Sequence, residues 1–248
     1  MEQIPKIIHY CWFGRGEKSK LIQNCIDSWR TFFPDYRFIE WSEDNCDISS
    51  MPRYVQEAYS MKKYAFVSDY IRIKALVEYG GIYMDTDYEV LKPMDEILKS
   101  GALITGFESK ESILTAFIAA EPQNEILKEF QSSYTERFFL SADGKNVDLT
   151  PVNVGFSKLL EKNGINLACN KYQKVGDIVV YPTEVLCGFD TNNWHEKITE
   201  KTMGVHHMGC SWANDKMKRH IKRIHFFQKL LGYKLYDKIK ALFGGNDE

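Results

Sequence analysis

Residues 64–87 read YAFVSDYIRIKALVEYGGIYMDTD, and this stretch constrains the fold more than any other. Its first part has apolar residues at helical spacing. Gly80 and Gly81 then close the helix in a common way. A short apolar run, 82–84, follows as a strand and stops abruptly at Asp85 and Asp87, one residue apart. Like charges that close repel unless something cationic sits between them.

The flanking segments predict strands and helices in alternation. KIIHYCWFG (6–14) reads as a buried strand ending in a glycine turn. In 17–33 Leu21, Ile22, Cys25, Ile26 and Trp29 recur at helical spacing, and Pro34 follows. YRFIEW is the next strand; ALITGF, DIVVYP and MGVHH are further strands, with helices near 121–133 and 154–162. Alternating strands and helices imply an α/β sheet with a mostly parallel core. The 248 residues are enough for one large domain, read as 1–213, followed by a basic helical segment, 214–248.

Composition narrows the function classes. Hydrophobic residues are 44% of the chain, as a globular protein requires. Lys and Arg number 32 against 34 acids, a formal charge of −2, so there is no general argument for nucleic acid. None of Cys11, Cys25, Cys46, Cys169, Cys187 and Cys210 lies in a C-x-x-C pair, so a zinc site has no support. The N-terminal MEQIPKIIHY lacks the basic and apolar regions of a signal peptide, and no apolar run approaches the ~20 residues that span a bilayer. The expectation is a reduced, cytoplasmic protein.

In open α/β sheets, ligands bind beyond the carboxyl ends of the strands, where Asp85 and Asp87 stand. Two carboxylates favour a hard cation such as Mg²⁺ or Mn²⁺, which commonly completes its shell with substrate phosphates. A nucleotide is then the third party. Taken alone, D-x-D also fits a solvated turn. The neighbours argue for chemistry: Asp69 and Arg72, three apart, project from one face of the preceding helix. Their bland alternative is a surface ion pair of little worth.

IPKIIHYCWFG, AFVSDYIRIKALVEYGGIYMDTD and HHMGCSW together resemble the DxD-containing sugar transferases of glycosyltransferase family 32, over roughly residues 4–212. That family includes bacterial capsule and cell-surface polysaccharide transferases. The resemblance implies a GT-A fold, a single Rossmann-like domain binding a nucleotide-sugar, such as a UDP-sugar, through a divalent metal. It also implies transfer with retention at the anomeric carbon to a glycan or lipid-linked glycan. On that resemblance Asp69, Arg72, Asp85 and Asp87 carry the catalytic machinery. Asp69 and Arg72 hold ribose or sugar hydroxyls, Asp85 holds ribose or a metal-bound water, and Asp87 ligates the metal. Trp12 stacks on the base, with core packing as its alternative, and Tyr83 helps place the nucleotide. His206 matches the metal-binding histidine of an His-x-x-Gly pattern, with His207 the lesser candidate, and Ser211 and Trp212 close over the diphosphate. Asn153, in DLTPVNVGF, lines the donor site. His9, His195, His220 and His225 take bland roles, and no residue stands out as a nucleophile.

Two other readings remain. Haloacid-dehalogenase-type phosphohydrolases follow D-x-D with Thr or Val at the fifth position, but Glu89 stands there. A non-catalytic nucleotide-sugar or carbohydrate-binding module would not need both acids and a strand-end histidine.

The last segment has its own texture. Met217, Ile221, Ile224, Leu231, Leu235, Ile239 and Leu242 form nearly one helical stripe, which Phe226, Phe227, Leu230, Tyr233 and Tyr236 widen. Nine lysines and arginines lie between 215 and 243 against Asp215 and Asp237. The stripe either packs on the main domain or lies in an anionic membrane interface, which would place the protein peripherally at the inner face of the plasma membrane.

Overall fold

The computed structural model describes residues 4–209 and 215–243. In chain order the first half runs β1 (Ile7–Cys11), α1 (Lys20–Phe32), β2 (Arg37–Trp41), a 3-10 turn (Ile48–Ser50), α2 (Arg53–Ser60), α3 (Tyr64–Tyr79), β3 (Gly81–Met84), β4 (Tyr88–Val90) and α4 (Asp95–Leu98). Then follow β5 (Leu103–Ser109), β6 (Ser112–Ile113), β7 (Phe117–Ala120), α5 (Glu125–Ser132), α6 (Val152–Lys162), β8 (Gln173–Val175), β9 (Ile178–Tyr181) and α7 (Thr183–Leu186). The chain continues through β10 (Phe189–Asp190), β11 (His195–Glu196), β12 (Gly204–His206), α8 (Asp215–Leu231) and α9 (Tyr233–Phe243).

The central sheet has the order β2-β1-β3-β7-β5-β9-β8, with β6 on β5. Pairings β1/β2, β1/β3 and β5/β9 are parallel, while β7 runs against both of its neighbours and β8 against β9. Five strands thus point one way, which meets the α/β, mostly parallel expectation. The reversed strand β7 was not foreseen: its sequence FIAA is apolar throughout and has no periodicity to mark it.

Helices cover both faces. The cluster on one side joins α2, α3, α5 and α6 to side chains such as Tyr83, Leu103 and Val180; the other joins α1, α4 and α7 to Ile8, Ile82, Met84 and Ile104. Alternation along a strand sends Tyr83 to one core and Ile82 and Met84 to the other. Helix α1 begins at Ser19, whose hydroxyl accepts the Ile22 amide. Helix α3 is apolar almost all round, with Phe66, Val67, Ile71, Ile73, Leu76 and Val77 buried, so it is an interior helix. Its buried polar residues are Asp69 and Arg72.

The turn from α3 into β3 is glycine-specific. Gly80 and Gly81 have φ of 62° and 101°, and a Cβ on Gly81 would stand 2.5 Å from the Ile7 carbonyl oxygen. That close approach puts β3 beside β1, with Ile82 opposite Ile8 and Tyr83 opposite His9. Both strands therefore end together, which brings Trp12 and Asp85 to one edge.

The C-terminal helices dock on the β10–β11 region. Ile224 and Gln228 are buried, Gln228 and Lys240 donate to the carbonyls of Asn193 and Asn192, and His195 Nε2 lies 3.1 Å from Asp237. Met217, Ile221 and Leu231 are half-buried with them. The single stripe does not survive whole. The helix breaks at Gly232, the phase resets, and Leu235 and Leu242 are exposed. Phe226, Phe227, Leu230 and Tyr233 are exposed as well instead of widening the packed face.

Candidate active site and metal centre

At the carboxyl end of β3 the structure gathers Asp85, Asp87 and His206, with one ligand-type atom of each within 4.8 Å of the others. The two aspartates come from one turn. His206 arrives from far along the chain through an antiparallel ribbon: β12 pairs with β4, and His206 stands opposite Tyr88. The ribbon is anchored from below, because Trp29 Nε1 donates to the Tyr88 carbonyl at 2.6 Å and the Tyr88 hydroxyl to the Leu186 carbonyl at 2.7 Å.

Each acid is held differently. Asp85 accepts from the Tyr83 hydroxyl at 2.9 Å and from Arg72 Nη1 at 3.3 Å. Arg72 also donates to Asp69 at 2.8 Å and to the Thr115 carbonyl at 2.9 Å, and its guanidinium lies 4.7 Å from the Tyr83 ring centre. Its side chain is only 5% exposed, so Asp69 and Arg72 form a buried bridge and not a surface pair. Burial pushes the Asp69 carboxyl up to about 6 against the pull of Arg72.

Asp87 accepts the Gly209 amide at 2.7 Å, and its Oδ1 lies 3.4 Å from His206 Nε2. Burial works against its charge, yet His206 and the Gly209 amide hold it well below the usual carboxylate range. Burial likewise works against an imidazolium at His206, but Asp87, Asp85 and Glu108 raise it to about 9. Carboxylates outnumber cations here, so the cluster calls for positive charge. Two carboxylate oxygens and an imidazole nitrogen converging in this way suit Mg²⁺ or Mn²⁺, and binding such an ion would displace the imidazolium proton.

The remaining sequence candidates fall into distinct places. Trp12 is half-buried at the rim, where Nε1 donates to the Gly16 carbonyl at 2.7 Å and Lys18 Nζ lies 5.2 Å from the ring, so core packing does not describe it. Tyr83 is 1% exposed and reaches the site through its hydroxyl on Asp85, so its bearing on the nucleotide runs through that carboxylate. His207 is outside the cluster: its ring nitrogens face Glu196 at 2.7 Å and Glu89 at 2.9 Å. As the residue after β12 it points away from His206. Asn153 does not present its amide to open space, because Nδ2 donates to Glu108 at 2.7 Å and Ser112 at 3.1 Å. Ser211 and Trp212 lie outside the described residues. Glu108 is the residue that sequence reasoning missed. It follows the apolar run of β5 as a single acid, and nothing local distinguishes it from a solvated strand end.

Of the other histidines, His9 is fully buried, its Nε2 donating to the Gly80 carbonyl at 2.9 Å and its Nδ1 accepting from Trp41 at 3.2 Å. Beyond Gly209 a cleft of about 710 Å³ opens between the β10–β11 region and α8, lined by Trp194, His207, Met208, Lys218, Lys222 and Tyr233 among others.

At the end of β3 two aspartates thus face a histidine across the edge of a mostly parallel α/β sheet, a donor set suited to a divalent cation. Residues 19–103 match the family described as "Glycosyltransferase sugar-binding region containing DXD motif", and the chain carries that region. It is similar to inositol phosphoceramide mannosyltransferase 1 of Schizosaccharomyces pombe, 29% identical over 152 residues, 56% of this chain and 46% of that one. It is also similar to the initiation-specific alpha-1,6-mannosyltransferase of Candida albicans, 28% identical over 127 residues, 48% of this chain and 33% of that one. The matches thus span less than half of either curated relative. Among solved structures, the PaToxG glycosyltransferase superposes with a TM-score of 0.49 at 20% identity, covering 65% of this chain and 70% of that one. The galactosyltransferase LgtC gives 0.45 at 11% identity, covering 91% and 96%. At these scores the superpositions add nothing to the sheet order itself.

Proposed function

We propose that this protein transfers a sugar from a nucleotide-sugar to a glycan acceptor, with retention at the anomeric carbon, and uses a divalent cation held by Asp85, Asp87 and His206. One observation carries this reading: the convergence of those three side chains within 4.8 Å at a strand end. When bound, the cation supplies charge to the diphosphate, in the ground state and as the sugar–phosphate bond breaks. Asp87 and His206 offer it an oxygen and a nitrogen, and Arg72 with Tyr83 fixes the carboxylate of Asp85. Trp12 offers an aromatic face to the base at the rim. Asp69 sits behind Arg72 and keeps the guanidinium in place.

The cleft beyond Gly209 is the space for the acceptor, because it adjoins the residue that donates to Asp87. The relatives are mannosyltransferases by name, acting in one case on inositol phosphoceramide. Those names favour a mannosyl donor over the UDP-sugar, and a sphingolipid or glycan acceptor over the capsular polysaccharide, that the family resemblance alone implies. The exposed face of α8, with Phe226 64% and Leu230 69% exposed among Arg219, Lys222, Arg223 and Lys229, suits an anionic membrane surface, and a cytoplasmic protein would meet one at the inner leaflet.

The test is a screen of UDP- and GDP-sugars with Mn²⁺ or Mg²⁺, read as release of nucleoside diphosphate. A donor hydrolysed slowly by the wild type, and not by Asp87→Asn, is expected. No hydrolysis of any donor, with nucleotide binding retained, would favour a non-catalytic binding module.

A further inference from the structure

The two ring nitrogens of His206 have different neighbours. Nε2 faces Asp87 at 3.4 Å, on the side where the candidate metal ligands gather. Nδ1 is buried and, among the described residues, makes no hydrogen bond. Facing it at 3.8 Å is Oε1 of Glu108. The other oxygen of that carboxylate is committed: Oε2 accepts from Asn153 Nδ2 at 2.7 Å and from Ser112 Oγ at 3.4 Å. Glu108 is thus braced by the β5–β6 turn and the first turn of α6, with one oxygen to spare.

An imidazole that turns the lone pair of Nε2 toward a cation carries its proton on Nδ1. A buried N–H with no acceptor is strongly disfavoured. Oε1 of Glu108 is placed to accept it, and a shift of about 1 Å brings the pair to hydrogen-bond distance. We propose that Glu108 is a positioning residue: its Oε1 accepts the Nδ1–H of His206, fixing the ring with Nε2 toward Asp85 and Asp87. Asn153 acts one step further out by holding the other carboxylate oxygen. The inference rests on His206 being a metal ligand.

The experiment titrates Mn²⁺ into the full chain, alone and with UDP or GDP, and reads free Mn²⁺ by electron paramagnetic resonance. Glu108→Ala should weaken Mn²⁺ binding about 10–100-fold, the usual effect of losing such an outer partner. Glu108→Gln keeps an acceptor oxygen, and Asn153 can rotate its amide to accept through Oδ1, which has no partner among the described residues. It should therefore lose much less. In a His206→Ala background, Glu108→Ala should have no further effect, because the residue acts through the ring. Should Glu108→Ala not fold, Glu108→Leu fills the same space without an acceptor and replaces it. Wild-type Mn²⁺ affinity in the Ala or Leu variant would overturn the assignment while leaving the metal site standing. An equal loss with and without His206 would also overturn it, by making the effect one of charge alone. A wild type that binds no Mn²⁺ under any of these conditions would remove the metal site and this role together.

Discussion

His9 is the clearest residue-scale case of burial setting chemistry. It is fully buried, donates to Gly80 and accepts from Trp41, so the folded protein holds it neutral and burial lowers its pKa from 6.5 to about 4. In this range the unfolded chain binds the proton more tightly, so its stabilising contribution is complete above pH 6.5 and is lost as pH falls through 4. The loss amounts to about 3 kcal/mol. Urea denaturation of the wild type and His9→Gln at pH 7, 5.5 and 4.5 should show the variant less stable at pH 7 but with a shallower acid limb. Trp12 makes the opposite prediction: as a rim residue its loss should spare the fold. Trp12→Ala should weaken nucleoside diphosphate binding by about 1–3 kcal/mol, as for other base-stacking aromatics, by calorimetry. Unchanged affinity would remove Trp12 from the donor site. Asp87→Asn should abolish Mn²⁺ binding, since a neutral amide cannot offset a divalent cation; Mn²⁺-dependent turnover at wild-type rates would sink the metal reading.

At the scale of elements, the unit α3–Gly80–Gly81–β3 sets the site. Buried apolar residues fix α3, the bridge from Arg72 to Asp69 and Asp85 locks it to the strand end, and the glycine turn lets β3 lie against β1. Gly81→Ala forces a Cβ against the Ile7 carbonyl at a backbone angle that disfavours side chains. The strain alone costs about 1–3 kcal/mol. The melting temperature should fall by roughly 2–4 °C for each kcal/mol in a chain of this size. An unchanged melting temperature would mean that the turn relaxes without cost. The β4–β12 ribbon is the second such element, because it alone carries His206 to Asp87.

Over the whole molecule, charge and apolar surface are unevenly spread. The chain is −2 overall, yet the segment between 215 and 243 holds nine lysines and arginines and two aspartates. One face of α8 docks through Ile224 and Gln228; the other exposes Phe226 and Leu230 among cations. The packed face of α8 and its exposed face of aromatic, aliphatic and basic side chains are thus distinct, and the second is the one proposed to meet an anionic surface. Among the described residues no helix is long and apolar enough to cross a membrane. Sedimentation should show the full chain bound to anionic vesicles and not to neutral ones, each basic residue adding about 1 kcal/mol near the surface. Phe226→Asp with Leu230→Asp should release it without altering the melting temperature, since both side chains are exposed. Equal partitioning of both proteins would leave that face as ordinary solvated surface.

The sequence by itself determined what short-range pattern encodes. Helical spacing gave α1 and α3, the glycine pair gave the turn, and apolar runs gave β1, β3, β5 and β9, because each signal is complete within a few neighbouring residues. Asp85 and Asp87 were legible for the same reason. Tertiary structure decided whatever depends on partners far apart in the chain. The direction of β7 is one such feature, since an all-apolar strand reads alike in either sense. Which of His206 and His207 stands beside Asp87 is another, because the ribbon turns the first toward that carboxylate and leaves the second between Glu89 and Glu196. The third is Glu108, ordinary in sequence and significant only because the fold sets its carboxylate against an unpartnered imidazole nitrogen.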